Sequence, residues 1–222
     1  MSMPFYVAPE QMMKDRADFA RKGIARGRAL VAVRYSDGIV IVAENASETL
    51  RKVSEIYDRI AFAGVGKYNE FDQLRVAGVR AADLKGFQYS RDDVDARSLA
   101  NSYAQMLGTI FTHEMKPMEV EILVAEVGLV PADDQMFHIL YDGTVVDERN
   151  YAAIGGDAEA INARLAETWT EGLDRSGENA LGRTALSGPD REIADDDLEV
   201  ADLSRSNGRR CFHRLTTADL GT

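Results

Sequence analysis

Apolar residues recur along this chain in two rhythms, a helical spacing and short strand-like runs bounded by turn residues. The first helical stripe is Met13, Ala17, Ala20 and Ile24. It follows Ala8-Pro9-Glu10, where proline at the first helical position and an acid in the first turn mark a helix start. Lys14, Asp15, Arg16, Asp18, Arg21 and Lys22 occupy the other face, and Phe19 widens the stripe sideways. A helix of this kind, ending near Ala25, is expected to dock on the body of the fold or on a neighbouring subunit. Two hairpins follow. Residues 29–35 turn through Ser36-Asp37-Gly38 into residues 39–43. After a loop over residues 45–50, residues 53–57 turn at Asp58-Arg59 into residues 60–65, ended by Gly64 and Gly66.

Two helices come next. Phe71, Leu74, Gly78 and Ala81 share a face in the first, with Gly86 as its C-terminal stop. In the second, Leu99, Tyr103, Met106, Leu107, Ile110 and Phe111 make the stripe, with Asp95 as N-cap. Lys116-Pro117 breaks the helical pattern. Residues 120–125 are apolar on both faces, as in a strand sandwiched between layers. Residues 136–141, the Asp142-Gly143 turn and Val145-Val146 form a hairpin, and residues 151–155 a short strand. Helices carrying Ile161, Leu165 and Trp169, then Ala180, Leu181 and Ala185, precede strands at 198–203 and 210–215. The order reads as one helix, two hairpins, two helices, four strands, two helices and two strands. It suits an α+β architecture of four layers, an αββα sandwich. The stretch 171–197 is the weakest in pattern, with a mobile loop expected around Ser187-Gly188-Pro189.

A hydrolase built on such hairpins that attacks with its own N-terminal side chain needs Thr, Ser or Cys at the head of the first strand. Arg28 stands there, after Gly27. A guanidinium stays protonated and cannot attack a carbonyl.

With 222 residues, 45% of them hydrophobic, the chain has material for one well-buried domain. Its net charge of −11 opposes nucleic acid as the main partner, because phosphate binding needs clustered Lys and Arg. Asp195-Asp196-Asp197 reads as a solvated loop. One cysteine, Cys211, excludes an intrachain disulfide and suits a reducing compartment. The N-terminus lacks a signal-peptide pattern, and no apolar run has the length of a membrane helix. A soluble, cytoplasmic protein with no membrane partner is expected.

Cofactor chemistry finds no support: there is no phosphate-binding glycine motif and no zinc spacing. Cys211 and His213 share a strand face, but two ligands do not make a metal site, and a buried structural thiol is the better reading. His113 and His138 lie far from each other in sequence, and Ser36 and Ser47 have no histidine nearby. Lys52, at a strand start, is by itself an ordinary solvated lysine. Gly27 and Gly66-Lys67 flank the neighbouring strands at the same end of the sheet. Open glycine N–H groups beside the Lys52 ammonium would make that end an anion pocket.

Long stretches carry a resemblance. They include residues 20–27 (ARKGIARG), Val42-Ala43-Glu44-Asn45, residues 52–59 (KVSEIYDR), residues 66–71 (GKYNEF) and residues 107–112 (LGTIFT). Tyr141-Asp142-Gly143 and Ile154-Gly155-Gly156 complete the series. Through them the whole chain, least over 171–197, resembles the α subunits of bacterial 20S proteasomes of the actinobacterial type. The resemblance implies the N-terminal nucleophile hydrolase fold in a catalytically inactive member, with no cofactor. It implies heptameric α rings capping rings of β subunits that carry threonine nucleophiles, Arg28 taking the threonine position. It divides the chain into a gating peptide (1–8), an N-terminal helix (9–26), the αββα domain (27–215) and a tail (216–222).

In the same way Lys52 matches the family's pocket lysine, which receives the C-terminal carboxylate of a ring-shaped ATPase or an ATP-independent activator, and Gly66 the pocket glycine. Gly27 and Lys67 complete the expected pocket. Pro9 matches the reverse-turn proline of the gate. Met3, Pro4, Phe5 and Tyr6 fall in the peptide that closes the axial pore to unfolded protein substrates. Phe19 replaces a tyrosine common in other α subunits. Lys116-Pro117-Met118 resembles the segment beside the axial opening, with Met118 where an aromatic is frequent. Two rivals predict different outcomes. An active hydrolase would shed residues 1–27, and a stand-alone binding domain would be a monomer.

Overall fold

Two five-stranded antiparallel sheets stack face to face, and each carries a pair of helices on its outer side. The structure is a computed structural model and describes residues 8–216 and Asp219; Met3, Pro4, Phe5 and Tyr6 lie outside the described residues. One sheet is built from β1 (Leu30–Tyr35), β2 (Gly38–Glu44), β8 (Tyr151–Ile154), β9 (Leu198–Ser204) and β10 (Phe212–Leu215), in the order β10-β9-β2-β1-β8. The other holds β3 (Val53–Tyr57), β4 (Ile60–Gly66), β5 (Val120–Glu126), β6 (Gln135–Ile139) and β7 (Val145–Glu148), in sequence order. The helices are α1 (Pro9–Ile24), α2 (Tyr68–Gln88), α3 (Ala96–His113), α4 (Ala158–Thr168) and α5 (Arg175–Ser187).

Strand periodicity decides which side chain enters which layer. Leu30, Ala32, Ile39 and Ile41 of one sheet and Ala61, Ala63, Leu123 and Ala125 of the other form the central core. The alternate positions Val31, Val33, Val40 and Val42 pack under Ile161, Leu165 and Leu186 of α4 and α5. Phe62, Ile122 and Val124 pack under Leu74, Tyr103 and Leu107 of α2 and α3. β5 is therefore buried on both faces, as its apolar pattern demanded. Helix α5 approaches its sheet closely: a Cβ at Gly182 would stand 2.9 Å from Val42 Cγ2.

The structure corrects several sequence expectations. Helix α2 runs through Gly86 and stops at Gln88. Gly86 lies under the Tyr57 hydroxyl, which leaves no room for a side chain, so it serves close packing and not termination. Ala82, not Ala81, completes the buried face of α2. Met106 is exposed, while Ala96 and Ala100 join Leu99, Tyr103 and Leu107 in the core. The four strands read between the helix pairs are β5 to β8. Cys211 precedes β10, outside the strand expected to carry it together with His213; it is buried, as expected. Asp95 does cap α3, accepting from Ser98 N at 2.8 Å. The weakly patterned stretch 171–197 contains the whole of α5.

Helix α1 is tied to this body at its C-terminal end, where Ala20 and Ile24 are buried with Tyr141. Arg16 adds hydrogen bonds to the carbonyls of Phe111 (2.6 Å) and Thr112 (3.0 Å) at the end of α3.

Candidate functional site

The end of the molecule where α1 meets β1 gathers most of the candidate residues. The chain leaves α1 through Gly27, whose N–H donates to Ile24 O at 2.8 Å. That donor closes the helix and is not open to a ligand, contrary to the expected role of glycine N–H groups here. Gly27 is required for closeness: a Cβ would stand 2.8 Å from Val65 Cγ1 and 3.0 Å from Gly66 N. Gly66 ends β4 at φ +106°, a left-handed conformation that side-chain-bearing residues rarely adopt, and lies against the Glu119 carbonyl.

Lys52 enters β3 beside this pair. Its carbonyl accepts from Gly64 N at 3.0 Å, and its N–H donates to Glu199 Oε2 at 2.8 Å. Its ammonium donates to the main-chain carbonyl of Arg28 at 2.6 Å. Burial pulls the Lys52 pKa down to about 8, the Glu44 and Glu199 carboxylates oppose that shift, and the Arg28 charge adds to it.

Two buried carboxylates organise the cationic side chains around Lys52. Glu44, at the end of β2, is gripped by Arg191 through two hydrogen bonds of 3.0 and 2.6 Å and is also bonded by Arg28. Burial opposes its ionisation, yet the hydrogen bonds from Arg191 and Arg28 hold its carboxyl below the usual range. Glu199, on β9, accepts from Asn45 Nδ2 (2.7 Å), from the N–H groups of Lys52 and Val53, and from Arg214. Four cations, Arg28, Lys52, Arg191 and Arg214, thus surround two anions. The cluster carries a net charge of about +2 when Lys52 is protonated.

Lys67 does not join it. Its ammonium lies 3.9 Å from Glu70 and 3.7 Å from Glu119, in a separate ionic group completed by Lys116, which reaches Glu70 at 2.6 Å and Glu119 at 3.0 Å. Lys116 also sits 5.5 Å over the Phe19 ring. Phe19 and Met12 of α1 line an open apolar groove with Met115 and Pro117. Pro9 opens α1, and Met118 packs partly buried against the α2/α3 core.

On the far side of Gly27-Arg28 is a cavity of about 680 Å³, lined among others by Arg28, Glu44, Ala160, Leu186 and Arg191. Sequence reasoning missed Glu44, Glu199 and Arg191. Arg191 lies 147 positions from Glu44, and Glu199 lies 147 from Lys52, and nothing local marks them.

Chemically, the cluster holds no Ser, Thr or Cys nucleophile. Arg28 heads β1, and the side chains around Lys52 are guanidinium and carboxylate groups. Among the described residues no three His, Cys, Asp or Glu side chains converge to hold a metal. His213 is exposed, and burial raises the Cys211 thiol pKa. Among the described residues no helix is long and apolar enough to cross a membrane.

The comparisons with known proteins agree with this non-nucleophilic frame. The profile of the family described as "Proteasome subunit" matches residues 24–200, and the chain belongs to that family. It is 65% identical to the proteasome subunit alpha of Acidimicrobium ferrooxidans, across 97% of this chain and 93% of that one. To the proteasome subunit alpha of Kineococcus radiotolerans it is 58% identical (97% and 95% covered), and to that of Acidothermus cellulolyticus 55% (99% and 97%). It is similar over nearly its full length to α subunits, the non-catalytic subunits of the proteasome.

Proposed function

We propose that this chain forms the heptameric outer rings of a cytoplasmic 20S core particle, gates the axial pore and docks the C-termini of activators. In that role it supports ATP-dependent degradation of unfolded proteins by threonine-protease β subunits. The observation that carries this reading is Lys52: its ammonium sits at the head of β1, against the carbonyl of a residue that cannot act as a nucleophile. A lysine so placed, in a cluster of net positive charge, is suited to receiving a carboxylate rather than to catalysis. Helix α1 supports the ring role. It is held by Arg16, Ala20 and Ile24 and leaves Met12 and Phe19 exposed, which suits a heterologous contact that closes on rotation. The peptide 1–8, preceding the Pro9 turn, is the gate in this reading.

The test is co-expression with the cognate β subunit, followed by electron microscopy and a degradation assay with the cognate ring ATPase. Heptameric end rings and ATPase-dependent degradation are expected. A monomeric chain that leaves the β subunits unassembled sinks the proposal.

A further inference from the structure

Three ionisable side chains outside the Lys52 cluster meet on adjacent strands of one sheet, at the rim of the central core. Glu121 of β5 places Oε2 3.5 Å from His138 Nε2 on β6, and Glu148 of β7 places Oε1 3.9 Å from His138 Nδ1. Both are ion-pair separations, longer than formed hydrogen bonds. The buried His138 Nε2 has no hydrogen-bond partner among the described residues. Side-chain exposure is 14% for Glu121 and His138 and 26% for Glu148, so little water is at hand to replace a lost partner.

The arrangement is one proton short when the imidazole is neutral. A neutral ring carries a single N–H; it serves Glu121 or Glu148, and the other carboxylate then faces a lone pair. The imidazolium donates to both. Burial raises the Glu148 carboxyl pKa and the His138 charge lowers it, so the neighbouring strands respond to each other's protonation. Tyr141 and Asp142 after β6, with Arg21 of α1, border the cluster on the Glu121 side. Across the seam, β8 turns the uncharged Ala152 and Ile154 inwards.

Glu121 also reaches the other sheet. The same Oε2 accepts from Gly155 N at 3.3 Å, in the turn between β8 and α4. The next N–H, of Gly156, donates to Gly27 O at 3.2 Å. A Cβ at Gly155 would stand 2.6 Å from Val65 Cγ1 and 3.2 Å from Ala29 Cα, so this turn lies directly on β4 and the head of β1.

We infer that Glu121, His138 and Glu148 form a proton-operated clasp on the seam between the sheets. It holds the Gly155-Gly156 turn, and through it Gly27, while the imidazole is doubly protonated, and loosens that hold when the imidazole is neutral. The inference concerns the body of the fold and stands apart from any partner of the chain.

Hydrogen exchange of the full chain in its native assembly, read by mass spectrometry on the peptide containing Gly155 and Gly156, tests it at pH 5.5 and pH 8. Rates are normalised to the unfolded chain at the same pH. Wild-type protection is expected to be about tenfold lower at pH 8, the usual weight of a hydrogen bond to a charged group. His138→Gln should show equal protection at the two values. In Glu148→Gln the new amide donates to Nδ1 and leaves the neutral ring's N–H for Glu121, so protection should stay high at pH 8. Lys52 is unchanged in both variants, so a step that survives in them belongs to another group. The inference fails if wild-type protection is equal at both values, or if either variant keeps the wild-type step. Should His138→Gln not fold, Glu148→Gln alone decides.

Discussion

The ammonium of Lys52 donates to the main-chain carbonyl of Arg28 at 2.6 Å, joining the start of β3 to the head of β1 across the gap between the sheets. Burial sets the Lys52 pKa at about 8, so the group is charged below that pH and neutral above it. Stimulation by a carboxylate-bearing activator is therefore expected to decline between about pH 7 and about pH 9. A Lys52→Arg particle, whose charge does not titrate in this range, should lose that pH step. Degradation rates of the two particles across the range check this; parallel profiles would remove Lys52 from the contact.

Deleting residues 2–8 is expected to raise hydrolysis of small peptides by the assembled particle several-fold, without any activator. Peptides short enough to enter a closed pore serve as the internal control. Hydrolysis at the level of the intact chain means that these residues do not close the pore.

Gly66→Ala tests the backbone beneath the site. The new Cβ would be forced into a left-handed conformation and against the Glu119 carbonyl. A loss of about 2 kcal/mol or more in unfolding free energy is expected, readable by denaturant titration. A loss under half a kilocalorie would mean that β4 relaxes there at little cost.

Asp202 provides a pH test of stability away from the site. Burial pushes its carboxyl up to about 6; the hydrogen bond from Tyr35 and the charge of Arg175 act the other way. A native pKa above the unfolded value means that the folded state binds the proton more tightly. Ionised Asp202 therefore costs stability above about pH 6, and the cost fades as pH falls towards 4. Asp202→Asn is expected to be more stable than wild type at pH 7.5 by about 1 to 3 kcal/mol, the difference vanishing near pH 4. Thermal unfolding at the two pH values measures it, and equal differences at both would contradict the assignment.

Periodicity revealed most of the fold because the inner strands face a layer on both sides. The alternation of Val31, Val33, Val40 and Val42 with Leu30, Ala32, Ile39 and Ile41 follows the division between two cores. It failed where a residue's role comes from a distant neighbour. Gly86 looks like a helix stop until Tyr57 is seen above it. Lys67 looks like a companion of Lys52, yet Glu70 and Glu119 draw its ammonium aside. Family resemblance brought Lys52 and Gly66 into view. The carboxylates that tune Lys52, Glu44 and Glu199, emerged only once β2 and β9 were seen side by side.

The central claim is that this chain serves the core particle without chemistry of its own, keeping the residues ahead of Arg28. Intact-mass measurement of the chain isolated from particles assembled with the β subunit tests it most directly. The account predicts a polypeptide that still carries residues 9–27. A mass corresponding to a new N-terminus at Arg28 would contradict it.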